Sequence, residues 1–204
     1  MPRPTIDDVS GYKWDLFISY SRHGSVQKWL LNHFYEKLCE CLADEFEPLR
    51  VYMDREMPRA VHWPSNLQDA LLHSKIMVQL LTPPYFKSPW CLAEMQSMQA
   101  REEVLGLAGN GISQGLIYPI LYGDSENFPI EARQRSWHDF KDVAYPDPVY
   151  QQSTDYNIFH RKVKELARDL TQLVRQVPEW QPGWPIIEKP EPVLMPTPPL
   201  PRFV

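Results

Sequence analysis

Residues 14–20 read Trp-Asp-Leu-Phe-Ile-Ser-Tyr, a short apolar, aromatic and β-branched run that is closed by the polar residues 21–24. Such a run predicts a buried strand followed by a loop. Downstream, residues 26–42 place apolar and aromatic side chains at three-and-four spacing, which predicts an amphipathic helix. The positions that set this spacing are Trp29, Leu30, His33, Phe34, Lys37, Leu38 and Cys41.

Two further strands and two further helices follow in the first half of the chain. Residues 49–53 predict a strand that ends at Asp54, and a polar, proline-interrupted loop then leads to a helix over residues 65–73. Residues 76–81 form an apolar run of the length expected for a strand buried on both faces. Ser88 and Pro89 are an N-cap residue and a proline at the first helical position, so they predict a helix that runs to about Glu103.

The alternation continues to the end of the domain. Residues 116–122 predict a fourth strand, residues 137–140 fall in a long irregular stretch, and residues 155–177 predict the last helix. Strands that alternate with helices predict a three-layer parallel sheet with right-handed crossovers. Ligands in such sheets bind beyond the carboxyl ends of the strands, here the loops that start at residues 21, 54, 82 and 123.

Length and proline content divide the chain into three parts. The 204 residues suffice for one ordinary domain, which we assign to residues 12–177, after an N-terminal extension over residues 1–11. Nine of the 27 residues in 178–204 are proline, so this tail is expected to add neither a strand nor a helix. It either docks on a protein partner as an extended segment or is a flexible terminus with Trp180 and Trp184 folded back on the domain.

Composition excludes several classes of protein. The content is 43% hydrophobic and 23% charged, as in globular proteins, and the net charge of −5 argues against direct nucleic-acid binding. No stretch approaches the roughly 18 consecutive apolar residues of a membrane helix. The first ten residues lack a signal-peptide pattern, which indicates a cytoplasmic protein with no membrane partner. The three cysteines, Cys39, Cys41 and Cys91, support neither a disulfide framework nor a zinc site.

Familiar cofactor and hydrolase motifs are missing from the sequence. It contains no G-x-G-x-x-G after the first strand, no P-loop and no G-x-S-x-G elbow, and its six histidines show no paired ligand spacing. No metal or bound cofactor is therefore expected. If the protein uses NAD, it uses NAD as a substrate.

Three blocks in order nevertheless resemble one family. They are Trp14-Asp-Leu-Phe-Ile-Ser-Tyr-Ser21, Val51-Tyr-Met-Asp54 with the loop through Trp63, and Ser88-Pro-Trp-Cys-Leu-Ala-Glu-Met95. Together they resemble the Toll/interleukin-1 receptor (TIR) domain, most strongly its bacterial and plant branches. The resemblance implies a flavodoxin-like sheet of about five strands with helices on both faces.

The resemblance also implies an activity. Enzymes of this family cleave NAD to nicotinamide and ADP-ribose or a cyclic product, and their catalytic glutamate corresponds by motif to Glu94. Ordinary glycoside hydrolysis needs two carboxyl groups, one of which acts as an acid on the leaving group. The nicotinamide of NAD is already cationic and departs neutral, so one anion that stabilises the oxocarbenium-like charge is enough. The alternative is that Glu94 is a solvated surface residue.

The motif blocks also suggest substrate-binding residues. Trp90 is four residues before Glu94 and hence on the same helical face, where it either adjoins the substrate or anchors the helix in the core. Tyr20 and Arg22 hold the positions that contact the nucleotide in the resembling enzymes, and Arg22 could pair with a phosphate oxygen. The alternative for Arg22 is an ordinary surface arginine.

The remaining candidates have structural alternatives of the same weight. Asp54 either contacts the substrate or braces the loop after it. Ser19 and Ser21 either orient the ribose or satisfy backbone groups. Trp63 lies in the loop that family members call the BB loop, which closes over the site and contacts a neighbouring TIR domain; residues 60–61, Ala-Val, replace the glycine often found there.

Three functions are compatible with these patterns. The first is an NAD glycohydrolase or cyclase that is activated by TIR–TIR self-association, in immune-type signalling such as antiphage defence. The second is a non-catalytic adaptor that acts through homotypic TIR contacts. The third is a nucleoside deoxyribosyltransferase-like enzyme, which shares the chemistry of ribosyl bond cleavage on a related sheet. The first and third motifs are specific to TIR domains and make this alternative distant.

Overall fold

The computed structural model describes residues 11–45, 48–54, 65–107, 115–126, 128–133, 135–188 and 190–193. The structure described below is that of these residues. Trp63 and the Ala-Val pair at 60–61 lie outside them.

Five parallel strands form one sheet in the order β2-β1-β3-β4-β5. The strands are β1 (Trp14–Tyr20), β2 (Val51–Met53), β3 (Ser74–Leu81), β4 (Ile117–Leu121) and β5 (His138–Asp139). This is the flavodoxin-like strand order, so the predicted fold class is confirmed. The order reverses between β1 and β3, which run side by side with Ser19 opposite Gln79.

Helices cover both faces of the sheet. They are α1 (Val26–Trp29), a π-helical turn (Leu30–Phe34), α2 (Tyr35–Ala43), α3 (Ser65–Leu72), α4 (Pro89–Val104), α5 (Ile130–Arg133) and α6 (Tyr156–Val174). Short 3₁₀ turns occupy Tyr85–Lys87, Lys141–Val143 and Pro148–Gln152. None of the described helices is long and apolar enough to cross a bilayer.

Alternation along the strands produces two cores. Leu16 and Ile18 of β1 face α1, α2 and α6 and pack in an aromatic cluster around Trp29. Phe17 faces α3 and α4 on the opposite side. Because successive side chains of a strand point to opposite faces, Ser19 also lies on the α3–α4 side.

Two sequence predictions need correction in detail. The helix predicted over residues 26–42 is interrupted by the π-helical turn at Leu30–Phe34. The irregular stretch at 137–140 contains β5, which is two residues long and pairs in parallel with β4. A strand this short carries no readable alternation, so its pairing depends on β4 rather than on a local pattern.

The described part of the proline-rich segment, residues 178–188 and 190–193, packs against the outer side of α3 and α4. Trp180 stacks on His73 with ring centroids 5.3 Å apart, and the Trp184 ring, which is 6% exposed, lies 5.2 Å from the buried Arg101 guanidinium. Two hydrogen bonds also join the same segment to the Gln96 side chain of α4. The Gln96 amide donates to the Glu191 carbonyl (2.7 Å) and accepts from the Glu191 N–H (2.9 Å).

Candidate active site

Helix α4 begins where the sequence predicts it. Ser88 has extended backbone angles, and its hydroxyl oxygen accepts from the Cys91 N–H at 3.4 Å, while Pro89 occupies the first helical position. This N-cap fixes the start of α4 just after β3, so that its second turn passes over the carboxyl edge of the sheet. Glu94 lies on that turn.

The Glu94 carboxyl is buried against the end of β1. It is 5% exposed, and Ser19 Oγ lies 2.5 Å from Glu94 Oε2. Ser19 Oγ is also 2.6 Å from the Tyr85 hydroxyl, which in turn reaches the Cys91 carbonyl at 3.2 Å. Glu94, Ser19 and Tyr85 therefore form one hydrogen-bonded group at the point where the strand order reverses.

Burial changes the acidity of this group. It raises the pKa of Glu94 from 4.5 to about 8; the Ser19 hydrogen bond opposes the rise, and the Asp54 carboxylate adds to it. A buried carboxyl with a strongly raised pKa at a ligand-binding edge is a typical candidate functional group. Burial also raises the pKa of the Cys91 thiol, which therefore lacks the thiolate character of a reactive cysteine.

A second group of predicted residues lies beside the first. The Tyr20 hydroxyl donates to the Asp54 carbonyl at 2.9 Å, and an Arg22 amino group lies 3.7 Å from Asp54 Oδ2. Asp54 is thus tied to the end of β1 by Tyr20 and partners Arg22. The Arg22 side chain remains 32% exposed, so its guanidinium is accessible from solvent.

The other predicted residues fall into three situations. Ser21 is buried and its hydroxyl oxygen accepts from the His23 N–H at 3.3 Å. Trp90 is half-buried and packs against the apolar cluster between the sheet and α3–α4. Trp63 lies outside the described residues, so its predicted role stays a prediction.

Sequence reasoning missed Tyr85 and Gln79. Gln79 is 3% exposed, and within the described part of the chain its amide nitrogen has no hydrogen-bond partner. Its amide acts to lower the pKa of the Tyr85 phenol, which burial raises, so the two side chains adjoin. The signal in the sequence is a single polar residue inside the apolar run of β3.

A cavity of about 360 Å³ lies elsewhere, between β4, β5 and α6. It is lined in part by Tyr118, Trp137, His138 and Asp169, and the Tyr118 hydroxyl is hydrogen-bonded to His138 and, at 3.2 Å, to Asp169. None of the predicted site residues lines this cavity. The chemistry of Glu94 therefore places the candidate site at the β1–β3 edge rather than at this cavity.

Comparison with known proteins finds a curated relative and solved structures of similar fold. The chain is 28% identical over 107 residues to a probable disease resistance protein, RPP1, of Arabidopsis thaliana, and the match spans 52% of the chain but 8% of that protein. Similar solved structures include the TIR domain of the Toll-related receptor TRR-2 of Hydra magnipapillata (22% identity, TM-score 0.45, covering 73% of this chain and 98% of that one). The TIR domains of the activated Roq1 resistosome are similar at 16% identity and a TM-score of 0.40, with 80% and 96% covered.

The family match extends over most of the domain. Residues 16–152, more than half of the chain, match the family described as TIR domain. This range contains most of β1, all of β2 to β5, the Ser88 cap and Glu94. The chain therefore belongs to the TIR domain family.

Proposed function

We propose that this domain cleaves the bond between nicotinamide and ribose in NAD, with Glu94 as the catalytic residue and NAD as a substrate. The observation that carries the proposal is the buried Glu94 carboxyl, 2.5 Å from Ser19 Oγ, at the strand-order reversal. Ligands of open parallel sheets bind at this edge. The TIR motif around Trp90 and Glu94, with the activity that the resemblance implies, supplies the identity of the substrate.

One ionised carboxylate suffices for the reaction. The electron pair of the C1′–N1 bond leaves with nicotinamide, whose ring nitrogen becomes neutral, so no acid has to protonate the leaving group. The carboxylate stabilises the positive charge that develops on the ribose, as preorganised groups do for charge formed in a transition state. Water then attacks C1′ and loses a proton to give ADP-ribose, or an internal nucleophile closes a cyclic product.

The neighbouring residues suit a dinucleotide. Arg22 is accessible, and its contact with Asp54 is loose at 3.7 Å, so a phosphate oxygen could replace that contact. We assign Tyr20 and Trp90 to the nucleotide and nicotinamide sides of the site. Ser21, Asp54 and Trp63 complete the proposed binding set, with Trp63 contributed by the loop after β2.

We further propose that self-association through TIR–TIR contacts activates the domain in immune-type signalling in the cytoplasm, such as antiphage defence. Two observations support this. In the single chain burial raises the pKa of Glu94 to about 8 and so disfavours the anion that the reaction needs. A relative of this chain is a probable disease resistance protein. Assembly would change the surroundings of Glu94 and so provide the switch.

The test is NAD consumption by the wild type, Glu94→Gln and Glu103→Gln at high protein concentration with a crowding agent. Glu103 is an exposed glutamate on the same helix and serves as the matched control. We expect nicotinamide release by the wild type and the control, and a loss of at least about 100-fold in Glu94→Gln, because an electrostatic contribution of this kind is worth 100- to 1000-fold. Chromatography of the second product distinguishes hydrolase from cyclase.

The opposite result has a definite meaning. A wild type that is assembled but releases no nicotinamide contradicts the enzyme and favours the adaptor that acts by homotypic contacts. Equal rates for wild type and Glu94→Gln, with the fold verified by circular dichroism, would remove Glu94 from the chemistry.

A further inference from the structure

The hydrogen bonds around Glu94 form a chain that ends at a main-chain carbonyl. From the carboxyl inward they join Glu94 Oε2 to Ser19 Oγ (2.5 Å), Ser19 Oγ to the Tyr85 hydroxyl (2.6 Å) and that hydroxyl to the Cys91 carbonyl (3.2 Å). Both hydroxyl groups are buried, and each can donate one hydrogen and accept others.

We propose that Ser19 and Tyr85 are positioning residues that hold Glu94 in both of its protonation states, because the direction of this hydrogen-bond chain reverses when Glu94 loses its proton. The proposal rests on the function proposed for Glu94, and it concerns how that site is regulated.

In the protonated state every hydrogen of the chain has an acceptor. The Glu94 carboxyl donates to Ser19 Oγ, the Ser19 hydroxyl donates to the Tyr85 oxygen, and the Tyr85 hydroxyl donates to the Cys91 carbonyl. All three hydrogen bonds are used. The buried neutral acid is therefore well accommodated, which is what a carboxyl in a poorly solvated site requires.

In the ionised state the two contacts of Ser19 are used in the other direction, and the bond to the Cys91 carbonyl is given up. The proton of Glu94 leaves to solvent, Ser19 rotates to donate to the carboxylate, and Tyr85 rotates to donate to Ser19. No bond between heavy atoms changes. The Cys91 carbonyl gives up its Tyr85 partner but lies in the first turn of α4, where the helix supplies a backbone donor. The bond to the carboxylate becomes charge-assisted and hence stronger.

Gln79 fits the ionised state. Within the described residues its buried amide nitrogen makes no well-aligned hydrogen bond, but the side chain lies close enough to Tyr85 to act to lower the pKa of its phenol. When Tyr85 donates to Ser19, the phenol oxygen is free to accept from this amide. The Gln79 amide can therefore donate to the Tyr85 oxygen when that oxygen no longer accepts from Ser19.

Other ionisable groups also act on Glu94, and a test must leave them in place. They are Asp54 after β2, Tyr52 on β2, Tyr20 on β1, Cys91 on α4, and Arg22 through its contact with Asp54. None of them shares a described hydrogen bond with Ser19. Substitutions at Ser19 and Tyr85 therefore distinguish the effect of the hydrogen-bond chain on the pKa of Glu94 from the effect of the surrounding charges.

The experiment is a direct titration of Glu94 by carbon NMR of protein labelled at the glutamate carboxyl carbons, with the signal assigned by Glu94→Gln. Ser19→Ala removes the donor to the carboxylate, so the pKa of Glu94 should rise by about one pH unit, the equivalent of one hydrogen bond to a charged group. Ser19→Thr keeps the hydroxyl and should restore the wild-type value. Tyr85→Phe removes only the donor to Ser19 and should raise the pKa by a smaller amount.

Tyr122→Phe is the matched control. Tyr122 forms another serine–tyrosine pair, 2.7 Å from Ser25 Oγ, and borders the opposite core. It should leave the titration of Glu94 unchanged. The proposal is overturned if Ser19→Ala or Tyr85→Phe leaves the pKa of Glu94 unchanged or lowers it in a folded protein, or if Tyr122→Phe moves it equally. Should Ser19→Ala fail to fold, Tyr85→Phe and Ser19→Thr decide the question.

This readout is independent of catalysis. If the variants titrate as expected but the wild type cleaves no NAD, the result supports the hydrogen-bond chain and contradicts the proposed function. If NAD is cleaved but the pKa of Glu94 is the same in the variants as in the wild type, the proposed function is supported and the role of the hydrogen-bond chain is contradicted. In an active protein each variant should shift the pH midpoint of kcat/KM in the same direction as it shifts the NMR titration, since kcat/KM reports ionisations of the free enzyme.

Discussion

The two faces of the sheet are built from different kinds of side chain. The face covered by α1, α2 and α6 is an almost wholly apolar cluster, in which Trp29 contacts Phe34, Phe140 and Phe159. The face covered by α3 and α4 also buries polar and charged side chains, namely Ser19, Gln79, Glu94, Ser97, Arg101 and Glu102. Both faces are equally hidden from solvent, so burial alone does not distinguish them.

The difference separates the face of the sheet that stabilises the fold from the face that carries the candidate site. An apolar cluster gains free energy from every buried methylene group, whereas a buried charge costs free energy unless it is paired or neutralised. Arg101 is held by the carbonyls of Ser74 (2.8 Å) and Leu71 (3.1 Å), and Glu102 by Arg135 (2.6 Å). Glu94 has no such cationic partner among the described residues, and it is the group that the proposed function uses.

The largest effect should come from the apolar face. Trp29→Ala should lower the free energy of unfolding by about 4 kcal/mol, because Trp29 is fully buried and its removal leaves a large cavity. Urea denaturation followed by circular dichroism measures this. A loss under 1 kcal/mol would mean that this face is not the main source of stability.

A smaller loss is expected on the polar face from the tail. Trp184→Ala should cost about 3 kcal/mol, since it removes a buried indole and its contact with the Arg101 guanidinium. Trp180→Ala is the comparison, because Trp180 is only half-buried and should cost less. If both variants are as stable as the wild type in denaturant, the tail contributes nothing to the polar face.

The pH dependence of stability should single out Glu94. Its pKa is raised in the folded state, so the folded protein holds this proton more tightly than the unfolded chain does. The resulting stabilisation is fully present below pH 4.5, decreases as the pH rises and is lost above about pH 8. Glu94→Gln removes this dependence and should be at least about 2 kcal/mol more stable relative to the wild type at pH 8 than at pH 4.5.

Thermal or urea unfolding across this pH range makes the measurement. Glu103→Gln, on the exposed side of α4, should keep the wild-type slope. Parallel curves for wild type and Glu94→Gln would show that the buried carboxyl ionises as easily in the folded protein as in the unfolded chain.

The smallest effect concerns the start of α4. Ser88→Ala removes the cap of the Cys91 N–H and should cost about 1 kcal/mol. Ser88→Asp retains an acceptor at the helix N-terminus and should restore most of that loss. Denaturation midpoints decide between them, and an alanine variant as stable as the wild type would leave Pro89 as the sufficient start signal.

Sequence patterns predicted the elements whose signals are local. The apolar run of β3 and the Ser88–Pro89 pair located a strand and a helix start because each is written in adjacent residues. β5 is two residues long and was not found. Glu94 was identified through its motif, but periodicity could not have shown its burial, because α4 buries polar and apolar side chains together.

The contacts around Glu94 depend on the whole fold. Ser19 and Tyr85 are 66 residues apart, and Ser19 and Glu94 are 75 apart, so their meeting requires the β1–β3 pairing and the turn at Tyr85–Lys87. Gln79 offered a signal, since it is polar within an apolar strand, but its face could be assigned only once Met77 and Leu81 were placed on the α3–α4 side.

The pair of hydrogen bonds between the Gln96 side chain and the Glu191 backbone has a mechanical consequence. Ser97 Oγ also accepts from the Ile187 N–H at 2.9 Å, so Ile187 and Glu191 are hydrogen-bonded to α4 within one turn after Glu94. A helix held at this point cannot slide along its axis or rotate without breaking main-chain hydrogen bonds to the tail. A displacement of Ile187 and Glu191 would therefore be transmitted directly to the helix that carries Glu94.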